Sequence, residues 1–242
     1  MFTRTESFRE FIRFYPVVST IITIHLALYL LTVLPIFPNY WFFETLSGVN
    51  LYIMEGEYWR LITPIFMHSG FTHMLFNSFS LVLFGPALER ILGGGRFLFV
   101  YLLSGLIANV ATLLLEPLTY THVGSSGAIF GLFGYYIAII MFRKHWLSKQ
   151  NSQIILTLCV ISLIMTFLQP NINITAHLFG FFGGFLLGAI PYFNKRDFSD
   201  SIKSTANWAG NKRKAISFQS PWKVLIWAAI FIIAILGFLT QK

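Results

Sequence analysis

Charge is scarce in this chain. Only 11% of its 242 residues are charged, where a soluble domain usually carries about a quarter. Aspartate occurs twice, as Asp197 and Asp200, both in one polar stretch near the C-terminus. No Glu stands in the middle of an apolar run, so chemistry that needs a buried carboxylate has no candidate there. The single cysteine, Cys159, excludes an internal disulfide. No repeat of 20–50 residues and no low-complexity tract breaks the chain.

Apolar residues fill the place of charge. Hydrophobic residues make up 56% of the chain and aromatic residues 18%. Apolar runs recur near 16–35, 70–88, 97–115, 127–142, 153–169, 174–193 and 222–240. Each approaches the roughly 20 residues that cross about 30 Å of hydrocarbon as a helix. The expected class is an all-α integral membrane protein with seven spans. The first run follows Arg4, Arg9 and Arg13, and Pro35-Ile36-Phe37-Pro38 follows it in place of a small-residue cleavage site. It is expected to be a retained signal anchor.

The net charge of +8 is a matter of placement. With the N-terminus in the cytoplasm and the spans alternating, fifteen of the seventeen Lys and Arg fall inside, and only Arg60 and Lys242 outside. That is a positive-inside bias, so the basic excess marks topology and no nucleic-acid partner is expected. The domains read as a cytoplasmic tail (1–15), a six-helix core (16–193), a basic cytoplasmic linker (194–221) and an appended seventh helix (222–242). An outer loop from about 36 to 69 carries Tyr40, Trp41, Phe42, Phe43, Tyr52, Tyr58 and Trp59, an aromatic load suited to the membrane interface. Arg60 is expected to anchor there too.

Polar groups within spans are costly and often functional. His73 and Asn77 open the second span four residues apart, on one helix face. Ser126 opens the fourth span and His177 lies early in the sixth. Spans two, four and six run the same way across the membrane, so these groups share one layer near the outer face. The apolar part of the fourth span, Gly127 to Phe142, covers only ~24 Å at 1.5 Å per residue. Ser126 is therefore expected below the outer surface, at the edge of a wet cavity.

A serine hydroxyl needs a base to become a nucleophile. Gly127, Gly131 and Gly134 on the fourth span face a second ladder, Gly180, Gly184 and Gly188, on the sixth. Small residues let membrane helices approach closely, which would bring Ser126 to His177. With no acidic third member, the arrangement is a Ser–His dyad. His73 and Asn77 could donate to an oxyanion beside the unpaired N–H groups of the fourth helix. Ser125 reads as a cap or loop hydroxyl, His25 as a packed histidine, and His122 and His145 as loop histidines. His68 and His73, five apart with no Glu motif between them, do not form a metal site.

The ordered set resembles the rhomboid family of intramembrane serine proteases. Trp59-Arg60 is similar to its loop motif, and His68, His73 and Asn77 to its second-helix pattern. Gly124-Ser125-Ser126-Gly127 matches GxSG, and Ala176-His177 with Gly180, Gly184 and Gly188 matches AHxxGxxxGxxxG. The resemblance implies a six-helix core plus one helix, with Ser126 as nucleophile and His177 as general base. It implies an oxyanion hole of His73, Asn77 and the Ser126 N–H. Gly124 and Gly127 would give backbone freedom, His68 would support the outer loop or a water route, and Phe130 would replace a Tyr packed on the catalytic His. No cofactor and no metal are implied. Substrates would be single-span membrane proteins with readily unwound helices, cut in the lipid bilayer. A bacterial plasma membrane is expected, since the chain is short and shows no targeting segment. Two other readings compete: a rhomboid-like protein that binds transmembrane clients without cutting them, and a transporter. The transporter would need paired charges and two related halves, which the sequence does not show.

Overall fold

Apolar runs punctuated by short polar turns become helices in the computed structural model, which describes residues 5–35 and 38–190. The linker 194–221 and the seventh span 222–240 lie outside the described residues. Ser7 starts α1 (Phe8–Phe14) through a reciprocal capping box with Glu10. Pro16 at the first helical position then opens α2 (Pro16–Val33), where a missing N–H costs nothing. After α3 (Asn39–Leu46) and α4 (Asn50–Met54) come two longer helices, α5 (Phe71–Leu92) and α6 (Gly94–Leu115). Gly93, with φ of 79°, makes the tight turn between them. Three helices complete the described core: α7 (Ser126–Phe142), α8 (Lys149–Leu168) and α9 (Ile174–Ala189).

Four helices, α2, α5, α6 and α8, are long and apolar enough to cross a membrane, while α7 and α9 are shorter apolar helices. Their lengths match their places. α7 is buried along most of its length, and α9 packs on it through glycines. A Cβ at Gly180 would collide with the Gly127 carbonyl, one at Gly184 with the Gly131 carbonyl, and one at Gly134 with the Phe181 carbonyl. Backbone therefore meets backbone along the whole seam, the closest approach that small residues allow. α6 closes the trio: Gly131 packs on Ser104, Gly127 on Ala108, and Gly183 on Ile107. The outer helices differ. On α8 only Ile155, Cys159 and Thr166 are buried, and its other face exposes Val160, Ile161, Ile164 and Phe167, as a lipid-facing helix does.

A buried carboxylate joins α2 to α5. Glu89 accepts from the Val17 and Val18 N–H groups, each at 2.9 Å. These are leading donors of α2 with no intrahelical acceptor, and the carboxylate also suits the positive end of the helix dipole. Glu89→Ala leaves both donors orphaned and should lower stability by about 1–3 kcal/mol. Thermal unfolding in detergent measures this; an unchanged midpoint would mean the two N–H groups find other acceptors.

The outer segment is clamped over the helix ends. Gly48–Val49 (β1) pairs antiparallel with Thr121–His122 (β2), Gly48 opposite His122. Asn50 Nδ2 donates to the carbonyls of Thr112, Glu116 and Pro117 at the end of α6. Tyr40, Trp41, Tyr58 and Trp59 are exposed. Arg60 departs from the expected interface anchor: it is 4% exposed. Its guanidinium donates to the carbonyls of Glu44 and Ser47 and to the Glu57 carboxylate, and lies 4.9 Å from the Tyr52 ring centre. Arg60 is the inner tie of this loop, because its fork of donors satisfies carbonyls that would otherwise be buried unpaired.

Candidate active site

Ser126 is the first residue of α7, where the leading backbone N–H groups have no intrahelical partner. The chain reaches it through Gly124, whose φ of +128° is a conformation that favours glycine. Gly124 N–H donates to the Pro64 carbonyl at 2.9 Å, fixing the turn. A Cβ built on Gly124 would stand 2.7 Å from His73 Nε2 and 3.8 Å from Asn77 Nδ2. Both side chains thus converge on the backbone two residues before Ser126. A side chain at Gly124 would fill the space they share.

The other wall comes from α9. Asn173 caps it, its side chain accepting from Ala176 N–H at 2.8 Å and donating to Thr112 Oγ1 at 3.0 Å. His177 therefore lies one turn into a helix whose start is tied to α6. Gly127 packs against Ala176, a Cβ there standing 3.6 Å from the Ala176 Cβ. The residues next to Ser126 and His177 are thus in direct contact. Phe130, one turn along α7 from Ser126, stacks on the His177 ring with centroids 4.1 Å apart and planes 16° from parallel. The ring holds the imidazole flat against α7.

Ser125 and Ser126 differ in access. Ser125 takes the N-cap position of α7 without a side-chain cap hydrogen bond and is fully buried, whereas Ser126 is half-buried. Among the described residues, no hydrogen bond joins Ser126 Oγ to the His177 ring, whose side-chain partner is Thr166 Oγ1, 2.9 Å from Nδ1.

His68 stands back from this group. Its ring lies 5.2 Å from that of His73 and 4.6 Å from that of His25, and it lines a cavity with Tyr29, Asn39, Tyr40 and Ser69. His25 has the polar partners that the sequence did not reveal, with Ser78 Oγ at 3.2 Å and Tyr101 OH at 3.4 Å. Among the described residues, no group of three or more His, Cys, Asp or Glu is arranged to hold a metal ion. His122, in the loop before the site, has both ring nitrogens buried. Burial pulls its imidazole down to about 4, so it stays neutral through the physiological range.

Two hydroxyls near the site escaped sequence reasoning. Thr166 lies in an apolar run, where any polar side chain is a signal. Ser69 Oγ is 3.1 Å from His73 Nδ1, four residues before it.

Residues 55–192 match the Rhomboid domain model, more than half of the chain. The chain belongs to the rhomboid family. Among its relatives, the "Putative rhomboid protease YdcA" of Bacillus subtilis (strain 168) is 52% identical over 187 residues, covering 77% of this chain and 94% of the relative. The "Rhomboid protease GluP" of the same organism is 36% identical over 140 residues, covering 58% of this chain and 27% of the relative. "RHOMBOID-like protein 1" of Arabidopsis thaliana is 28% identical over 198 residues, 78% of this chain and 49% of the relative. The chain thus spans nearly all of the first relative, about a quarter of the second and half of the third. As a rhomboid protein with several apolar helices, it is a multi-pass membrane protein. The rhomboid domain contains Gly124, Ser126, His73, Asn77, Phe130 and His177, every residue that forms the cluster described above.

Proposed function

We propose that this rhomboid protein is an intramembrane serine endopeptidase with Ser126 as nucleophile and His177 as general base. The observation that supports this reading is the glycine seam of α7 and α9, which sets Gly127, the residue after Ser126, against Ala176, the residue before His177. Ser126 Oγ attacks the scissile carbonyl carbon as its proton passes to His177. The carbonyl oxygen becomes an oxyanion. His177 then gives the proton to the leaving nitrogen as the C–N bond breaks, which leaves an acyl-enzyme. Water, deprotonated by the same imidazole, attacks that ester and releases Ser126. The Ser126–His177 hydrogen bond forms as substrate closes the site, since catalytic hydrogen bonds commonly reach their working geometry only in the substrate complex.

His73 Nε2, Asn77 Nδ2 and the first N–H groups of α7 supply donors for the oxyanion. The convergence of both side chains on Gly124 supports this assignment. Ser69 adds to it: a hydroxyl donating to His73 Nδ1 would leave the ring's N–H at Nε2, facing the site. Removing one oxyanion donor should cut kcat by about 100- to 1000-fold. Asn77→Ala and His73→Ala should each show that loss with KM little changed. A fall of less than about threefold in both would remove them from the oxyanion hole.

Substrates are single-span membrane proteins with a segment that unwinds readily. With a cytoplasmic N-terminus, the site faces the outer side of a bacterial plasma membrane. The 17 residues of α7 extend ~26 Å, which sets Ser126 below the surface of a ~30 Å core. The deciding experiment treats purified, detergent-solubilised protein with a fluorophosphonate and maps the adduct by mass spectrometry. An adduct on Ser126 is the expected result. Folded protein that takes up no probe would shift the reading to client binding without cleavage.

A further inference from the structure

A catalytic imidazole must carry its one proton on the correct nitrogen, and the dyad has no acidic residue to decide which. The decision can be read from Thr166. This residue lies near the end of α8, and it is 2% exposed, against 6% for His177. Its Oγ1 is 2.9 Å from His177 Nδ1 and 2.9 Å from the Ser162 carbonyl, four residues back on α8. A hydroxyl has one proton, and a carbonyl can only accept. The contact with Ser162 therefore takes the hydroxyl proton, and Oγ1 presents a lone pair to the ring. Nδ1 must then hold the ring's N–H. A neutral imidazole has only one, so Nε2 is left bare.

We propose that Thr166 is a positioning residue that holds His177 in its Nδ1–H form and so keeps Nε2 available as the base. The proposal rests on the reading of Ser126 and His177 as a dyad. Thr166 supplies with a neutral hydroxyl what a carboxylate supplies in a three-member triad, where the third group fixes tautomer and ring orientation. Phe130 holds the ring on one face and Thr166 holds its edge, so ring plane and proton position are set by different helices. When His177 accepts the serine proton, Nδ1–H still donates to Oγ1, and the bond persists through the reaction. A neutral acceptor stabilises the imidazolium less than a carboxylate does, so the contribution is to position.

The test uses the full chain in detergent micelles, with histidine labelled by 15N and His177 signals assigned by comparison with His177→Gln. Wild type should show Nδ1 as the protonated, pyrrole-type nitrogen and Nε2 as the bare one. Thr166→Val removes the acceptor at nearly constant volume and should shift His177 toward the Nε2–H form. It should also lower kcat about 10-fold, the ordinary worth of one neutral hydrogen bond, with KM little changed. Thr166→Ser should restore both tautomer and rate. A wild-type ring protonated at Nε2, or a Thr166→Val protein with unchanged tautomer and kcat, would overturn the proposal. The wild-type spectrum alone decides the tautomer if Thr166→Val does not fold. The spectrum reads equally well in Ser126→Ala protein, so failure of the dyad reading appears separately, as a wild type that takes up no fluorophosphonate.

Discussion

Ser126→Ala should reduce cleavage of a transmembrane substrate by about 10⁴-fold or more, with a similar loss for His177→Ala. The double variant should be no worse than either single one, because nucleophile and base act as one unit. Ser125→Ala should keep most of the activity. The physical difference between the two serines is access: Ser126 is half-buried at the mouth of α7, while Ser125 is sealed within the protein. Substrate binding should survive Ser126→Ala, so a crosslinkable substrate should still label that variant. Rates in reconstituted vesicles, corrected for folded protein, give the comparison. Multiplicative losses in the double variant would mean that the two residues act independently, and a large loss with Ser125→Ala alone would move the nucleophile by one residue.

Much of this site was legible because local periodicity and short spacing carry it. His73 and Asn77 are one helical turn apart, and both meet the turn at Gly124. The two glycine ladders, unusual in their regularity, mesh directly; the stacking of Phe130 on His177 was expected from the family resemblance alone. What stayed hidden depends on contacts between elements far apart in the chain. Nothing local to Thr166 says that it will meet His177, because that contact depends on how α8 leans on α9. Glu89 capping α2 across more than seventy residues is of the same kind. Arg60 was misread for the same reason. Beside Trp59 it looks like an interface pair, and only the fold of the loop shows three acceptors closing around it. The shortness of α7 and α9 could be read as shallow spans. In the structure α7 is also sheathed largely by other protein, with less need to match a bilayer, while α9 buries its glycine face and leaves Phe179, Phe182 and Leu186 exposed.

That seam carries the second large effect. Gly184→Ala adds one methyl group, yet its Cβ would fall on the Gly131 carbonyl, with the Gly131 Cα only 2.6 Å away. The obstacle is backbone in the middle of a helix, so no side chain can rotate aside. α9 must move off α7, and His177 moves with it. Overpacking typically costs 1–3 kcal/mol, and with no flexible neighbour this substitution should lie near the top of that range, about 3 kcal/mol. Gly95→Ala is the matched control, since its Cβ would meet nothing within 4 Å; it should be neutral or slightly stabilising. Thermal unfolding in one detergent, alongside fluorophosphonate labelling at a temperature where both proteins are folded, separates stability from chemistry. Labelling should fall in Gly184→Ala even while it stays folded, because the imidazole is no longer where α7 needs it. A Gly184→Ala protein that melts and labels like wild type would mean that the seam has slack. The contact of Gly127 with Ala176 could then not be what holds nucleophile and base together.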